Sequence, residues 1–339
     1  MKKLIGYVGT NDLKTLQETD ILCLDVINIA FAQIEEGTVR WEHPECKAHL
    51  ARIKRIHPDI KLVLSIGGWG AGGFSEAARE ALSRKKLADS AVEVMRAYKL
   101  DGIDIDWEYP CFDVAQIGAD FSDKDNYTYL LQEIRERLEI EKKGAYLLTT
   151  AVGGDAYFCR CTKMDQVQQY VDYVQLMTYD LRGGFQTLTG HHTNLYANPV
   201  DLFEASTKKA VDCYLAAGVP REKMVIGAAF YSREWRGVVN QNHGLHQMAE
   251  TTGGYGPAYH TLVSEYIDKN GYTRYWDKEA KAPYLFNGEH FISYEDKESI
   301  QWKARYVKEE ELLGMMYWEY CGDLTHELTP WMREQLDEL

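Results

Sequence analysis

The run Asp101-Gly-Ile-Asp104-Ile-Asp106-Trp-Glu108-Tyr-Pro110 sets four acids at its first, fourth, sixth and eighth positions, among β-branched and aromatic residues. Side chains alternate faces along a strand, so Asp104, Asp106 and Glu108 share one side and Ile103, Ile105 and Trp107 the other. Stacking three carboxylates on an inward face is costly, because burial and like charge both oppose their ionisation. Folding gains nothing from that arrangement. Acid/base chemistry near neutral pH does gain, with one group held protonated by its neighbours. Asp101 lies off the shared face and reads as an anchor for the start of the strand.

Other apolar runs also end in groups able to bind or orient a ligand. They are Ser65-Ile-Gly67-Gly68-Trp69, Gln175-Leu-Met177-Thr-Tyr179-Asp180, Phe230-Tyr231-Ser-Arg233-Glu-Trp235 and Tyr317-Trp318-Glu319. Taken singly, each has a plain explanation. A glycine pair can be only a tight strand exit; Met177 and Trp318 suit a core, and Tyr179 suits a rim with its hydroxyl satisfied. Their meaning comes from falling at the same end of one sheet.

The elements that would bring them there are eight short apolar runs: Leu4–Val8, Val26–Ala32, Leu62–Ile66, Gly102–Trp107, Tyr146–Val152, Tyr173–Thr178, Met224–Phe230 and Met315–Tyr320. Helical stretches lie between most of them, including Phe74–Tyr98, Asn126–Glu141 and Glu295–Glu311, and Pro330–Leu339 closes the chain. Eight near-continuous apolar strands alternating with helices predict an α/β fold, a (β/α)8 TIM barrel. One connection breaks the rhythm: about 60 residues separate the seventh run from the next helix, too long for an ordinary loop. Its turn signals at Gly253–Pro257 and its strand-like Tyr272–Trp276 and Tyr284–Phe286 predict a small α+β insertion between strand 7 and helix 7. The expected division is a barrel over residues 1–231 and 294–339, with an inserted subdomain over 232–293.

Composition limits the partners. Across 339 residues the net charge is 38 − 52 = −14, which argues against nucleic acid or an anionic membrane surface. No run approaches the ~18 apolar residues of a membrane span. Seven irregularly spaced cysteines, with Cys23 and Cys213 in apolar surroundings, read as free thiols in a reducing cytosol. A cytoplasmic location is therefore expected; the alternative is a secreted protein whose leader is missing from this sequence. Cys159-Arg-Cys161 has no matching His/Cys cluster nearby, so neither a metal nor a cofactor is expected. A monomer is expected.

The acidic run matches the DxxDxDxE signature of glycoside hydrolase family 18, the chitinases and their relatives. Ser65-Ile-Gly67-Gly68 resembles its SxGG motif, Met177-Thr-Tyr179-Asp180 its MxYD motif, and Trp318 its strand-eight tryptophan. The inserted segment resembles the chitinase insertion domain. The resemblance implies hydrolysis of β-1,4 bonds between N-acetylglucosamine units of chitin or chitooligosaccharides, with retention, through a substrate-assisted route. It implies four catalytic residues: Glu108 as acid and then base, Asp106 and Tyr179 orienting the acetamido group, and Asp104 sharing a proton with Asp106. It further implies Trp318 as the floor of the sugar site, with Met177, Tyr7 and Phe31 lining it. Asp180, Tyr231 and Arg233 would contact polar sugar groups, Trp69 and Trp235 flanking subsites, and Ser65 completes the substrate-binding set. The alternatives are an endo-β-N-acetylglucosaminidase acting on glycan or peptidoglycan fragments, a non-catalytic chitin-binding lectin, and an unrelated barrel whose acids hold a metal. The intact Glu108, Asp106 and Tyr179 favour the enzyme.

Overall fold

The structure, a computed structural model, describes residues 1–338. Eight parallel strands close into a barrel: β1 (Lys3–Gly9), β2 (Val26–Glu35), β4 (Lys61–Gly67), β5 (Gly102–Asp106), β6 (Leu147–Gly153), β7 (Tyr173–Met177), β8 (Met224–Ala229) and β14 (Gly314–Trp318). The first strand pairs with both β2 and β14, which closes the ring. This is the predicted (β/α)8 barrel. A short β3 (Thr38–Arg40) folds back antiparallel on the end of β2 through Glu36 and Gly37, both at positive φ. That hairpin was not predicted. Its signal was the glycine in a two-residue turn between polar-flanked strands.

A second, antiparallel sheet stands apart from the barrel, in the order β10 (Gly254–Ala258), β9 (Tyr231–Trp235), β13 (Phe291–Ser293), β12 (Ala282–Phe286), β11 (Thr273–Asp277). It has its own cores, one of them around Trp235, Tyr284, Phe286 and Phe291. It leaves the barrel one residue after β8 and returns to it at the helix Lys297–Glu309.

The period of two along each barrel strand sorts the side chains. Ile103, Ile105 and Trp107 belong to the core between strands and helices, where Trp107 stacks on Phe74 with ring centroids 5.3 Å apart. Ile5, Tyr7, Val26, Val63, Ala151, Tyr173, Met177, Val225 and Met316 form a separate cluster inside the ring. The acids of β5 face the same interior. Asp101 sits just before the strand, where its carboxylate accepts from the Leu62 N–H (2.8 Å) and pairs with Lys54 (2.7 Å). The helix expected over Phe74–Tyr98 is two helices, Phe74–Arg79 and Ala81–Ala97, because Glu80 adopts an extended conformation and caps the second.

Candidate active site

Asp104 occupies the deepest level. Its Oδ2 accepts from Tyr7 Oη (2.9 Å) and Ser65 Oγ (2.7 Å), and its Oδ1 from Thr149 Oγ1 (2.7 Å) and Gln175 Nε2 (2.9 Å). Gln175 is aimed in turn by Asn28, whose Nδ2 donates to Oε1 at 2.8 Å. Six strands thus contribute to one polar layer across the barrel. Burial pushes the Asp104 carboxyl up, while the donors around it pull the other way.

Above it, exposure rises from 0% at Asp104 to 4% at Asp106 and 9% at Glu108, so Glu108 is the outermost acid. The ladder ends at Asp106, whose last partners are Gly67 and Ala151. Glu108 therefore stands on the exit loop, two residues beyond the end of β5, although strand alternation was what grouped it with Asp104 and Asp106. Asp106 is pushed well above the carboxylate range by burial, then by the charges of Glu108 and Asp104. Burial raises Glu108 to about 7, against an opposing hydrogen bond from Tyr109. These groups titrate as a set. Asp106 Oδ1 is buried without a hydrogen-bond partner. A buried acceptor left unpaired costs about 1–3 kcal/mol, and the residue that carries it lines the cleft.

The three levels open into a cleft of about 570 Å³ lined by both acids, Tyr7, Phe31, Met177, Tyr179, Asp180, Tyr231, Arg233 and Trp318, a size typical of small-molecule sites. Trp318 stacks on Phe31 (5.3 Å, 19° between planes) and tilts against Tyr7, giving an aromatic floor. Tyr179 follows the end of β7, two strands round the ring from Asp106, with its hydroxyl 3.8 Å from the Met316 sulfur and its ring edge-on to Tyr231. Asp180 is held at φ 55°, and its Oδ1 accepts from Arg233 Nε at 2.7 Å. Burial would raise its carboxyl; the facing His192 and the Arg233 guanidinium outweigh that and hold it below the usual carboxylate range. Gly67 and Gly68 are required by contact as well as by their positive φ. A Cβ on the first would meet the Asp106 carbonyl at 2.0 Å, and on the second the Phe31 ring at 2.7 Å.

Trp69 lies at the mouth of the cleft and is 55% exposed. Two residues expected to touch substrate do not line the cleft. Ser65 is fully buried beneath it, spending its hydroxyl on Asp104. Trp235 is fully buried in the inserted sheet, its Nε1 donating to the Gln186 carbonyl at 2.9 Å. It shares the face of Arg233 in β9 but lies two residues farther along, where the core of the inserted sheet covers it. Conversely, Tyr109, Phe112, Tyr157 and Tyr255 line the cleft and were not in the expected set. Tyr255 lies within the Gly253–Pro257 turn signal, where an aromatic flanked by glycines was the available clue. Its ring lies 3.7 Å from the Arg233 guanidinium carbon. The one grouping of three possible metal ligands among the described residues, His43, Glu45 and Cys46, is not part of the cleft.

Residues 3–323 match the family model for glycosyl hydrolases family 18. Chitinase A1 of Niallia circulans is 37% identical over 312 residues, which are 84% of this chain and 44% of that protein. An endochitinase of Manduca sexta is 30% identical over 93% of this chain and 60% of its own length. This chain thus spans less than two thirds of either relative. Among solved structures, a family 18 N-acetylglucosaminidase from Paenibacillus barengoltzii superimposes with a TM-score of 0.97 at 50% identity, covering 99% of this chain and all of that one.

Proposed function

The chain belongs to glycosyl hydrolase family 18, and from that premise we propose that it is a chitinase-type glycosidase. Its substrates would be β-1,4-linked N-acetylglucosamine chains, cleaved with retention by substrate assistance. The observation that carries this reading is the graded stack of Asp104, Asp106 and Glu108, opening on a cleft floored by Trp318. Glu108, held near pH 7 and outermost, is the group able to hand a proton to a glycosidic oxygen. As it does so, the substrate's own acetamido oxygen attacks C1 and closes an oxazolinium ring, so no enzyme nucleophile is needed. Asp106, with its unpaired buried oxygen, accepts the acetamido N–H and balances the positive charge forming there. Tyr179 donates to the acetamido oxygen and holds it over C1. Water then opens the ring, with Glu108 taking its proton.

A second reading, removal of terminal N-acetylglucosamine, is favoured by the 50% identity to a protein described as an N-acetylglucosaminidase. Products from N-acetylglucosamine oligomers of increasing length separate the two: monosaccharide at every length for the second, mixed oligomers for the first. For either, Glu108→Gln should keep oligomer binding and lose roughly 10²–10⁴ in kcat, the range of general acid catalysis. Full activity in that variant would overturn the assignment.

A further inference from the structure

Behind the cleft wall lies an ion pair that water does not reach. Lys303, on the helix Lys297–Glu309, and Glu295, just past β13, have side chains 1% and 0% exposed and in direct contact. Lys303 Nζ also donates to Thr193 Oγ1 (2.7 Å) and to the Gly227 carbonyl (3.1 Å), so each of its protons has an acceptor. Glu295 accepts in addition from Ser299 Oγ at 2.7 Å. Two routes lead from this pair to the cleft. Thr193 Oγ1 lies 3.1 Å from the Thr178 carbonyl. Gly227 exchanges two hydrogen bonds with the Thr178 hydroxyl, at 2.8 and 2.9 Å. The Tyr179 ring rests directly on Gly227, where a Cβ would sit 2.7 Å from it.

Ion pairs this deep are poor sources of stability, because desolvation offsets their attraction and apolar replacements of similar size are often neutral. This one clasps the peptide that carries Tyr179 from the preceding residue and from beneath the ring. We propose that Lys303 and Glu295 are positioning residues that fix Tyr179, holding Thr178–Asp180 against β8 and tying the end of the inserted sheet to the barrel at the same point. The inference rests on the functional reading above, since it requires Tyr179 to meet the acetamido group. A tyrosine allowed to drift orients the transition state less well while leaving the sugar subsites intact, so kcat falls and KM stays.

The test compares wild type, Lys303→Met and the double variant Lys303→Met/Glu295→Met by thermal unfolding and by kinetics on N-acetylglucosamine tetramer well below Tm. The single variant leaves a buried carboxylate unpaired and should lose Tm. The double variant should regain most of it, yet remain roughly 10- to 100-fold down in kcat, the scale of a small misplacement, with KM within about twofold. Wild-type kcat in the double variant, or a loss confined to KM, overturns the proposal. Should the double variant not fold, Thr193→Val cuts one route without leaving a charge unpaired. A lower kcat at unchanged KM then supports the proposal, and an unchanged kcat overturns it. Wild type inactive on every oligomer overturns the functional reading, and this one with it, before any variant is made.

Discussion

In the proposed mechanism Glu108 does acid and base work in turn, because burial raises its carboxyl to about 7 beside Asp106. As the proton donor it must enter the reaction protonated, so kcat/KM should fall as pH rises through about 7. The same shift acts on stability. The folded state binds this proton more tightly than the unfolded chain does, so the contribution is fully present below the ordinary glutamate value. It is lost as pH rises through about 7. The change is on the order of 3 kcal/mol between those limits. In Glu108→Gln that part of the pH dependence should vanish from denaturant unfolding measured at pH 4.5 and 8. A slope unchanged by the substitution would contradict the assignment. The acids were legible because alternation in a strand is rigid. The placement of Glu108 on the exit loop was not, because where a ladder ends depends on its neighbours: β4 and β6 stop pairing at Asp106.

At the scale of elements, hydrophobic period located all eight barrel strands. It did not show the break at Glu80, because the residues on both sides keep helical composition. The restart is marked by a reciprocal cap: the Glu80 N–H donates to Ser83 Oγ (3.3 Å) and the Glu80 side chain accepts from the Ser83 N–H. Trp235 was misplaced for a related reason. An aromatic at a strand exit looks like a subsite until the inserted sheet is seen to bury it, with Phe291 5.8 Å away. Asp101 illustrates an element held by one side chain. Asp101→Ala removes the acceptor for the Leu62 N–H and the partner of Lys54. It should cost about 1–2 kcal/mol of unfolding free energy with kcat unchanged. A loss of kcat without a loss of stability would return Asp101 to the chemistry.

For the whole molecule, the barrel supplies the acids and the floor, and the inserted sheet supplies one wall. That wall is built on Arg233, which joins Asp180 from the barrel to Tyr255 from the insertion. Tyr255→Ala should raise KM roughly two- to fivefold, the worth of a partly exposed aromatic contact of about 0.5–1 kcal/mol, and leave kcat close to wild type. A large drop in kcat would mean that the insertion takes part in chemistry. The central claim is that the substrate's acetamido group, guided by Asp106 and Tyr179, replaces an enzyme nucleophile. Proton NMR of the first product released from an N-acetylglucosamine oligomer tests it most directly. The account predicts the β-anomer, appearing before mutarotation; an α-anomer formed first would contradict it.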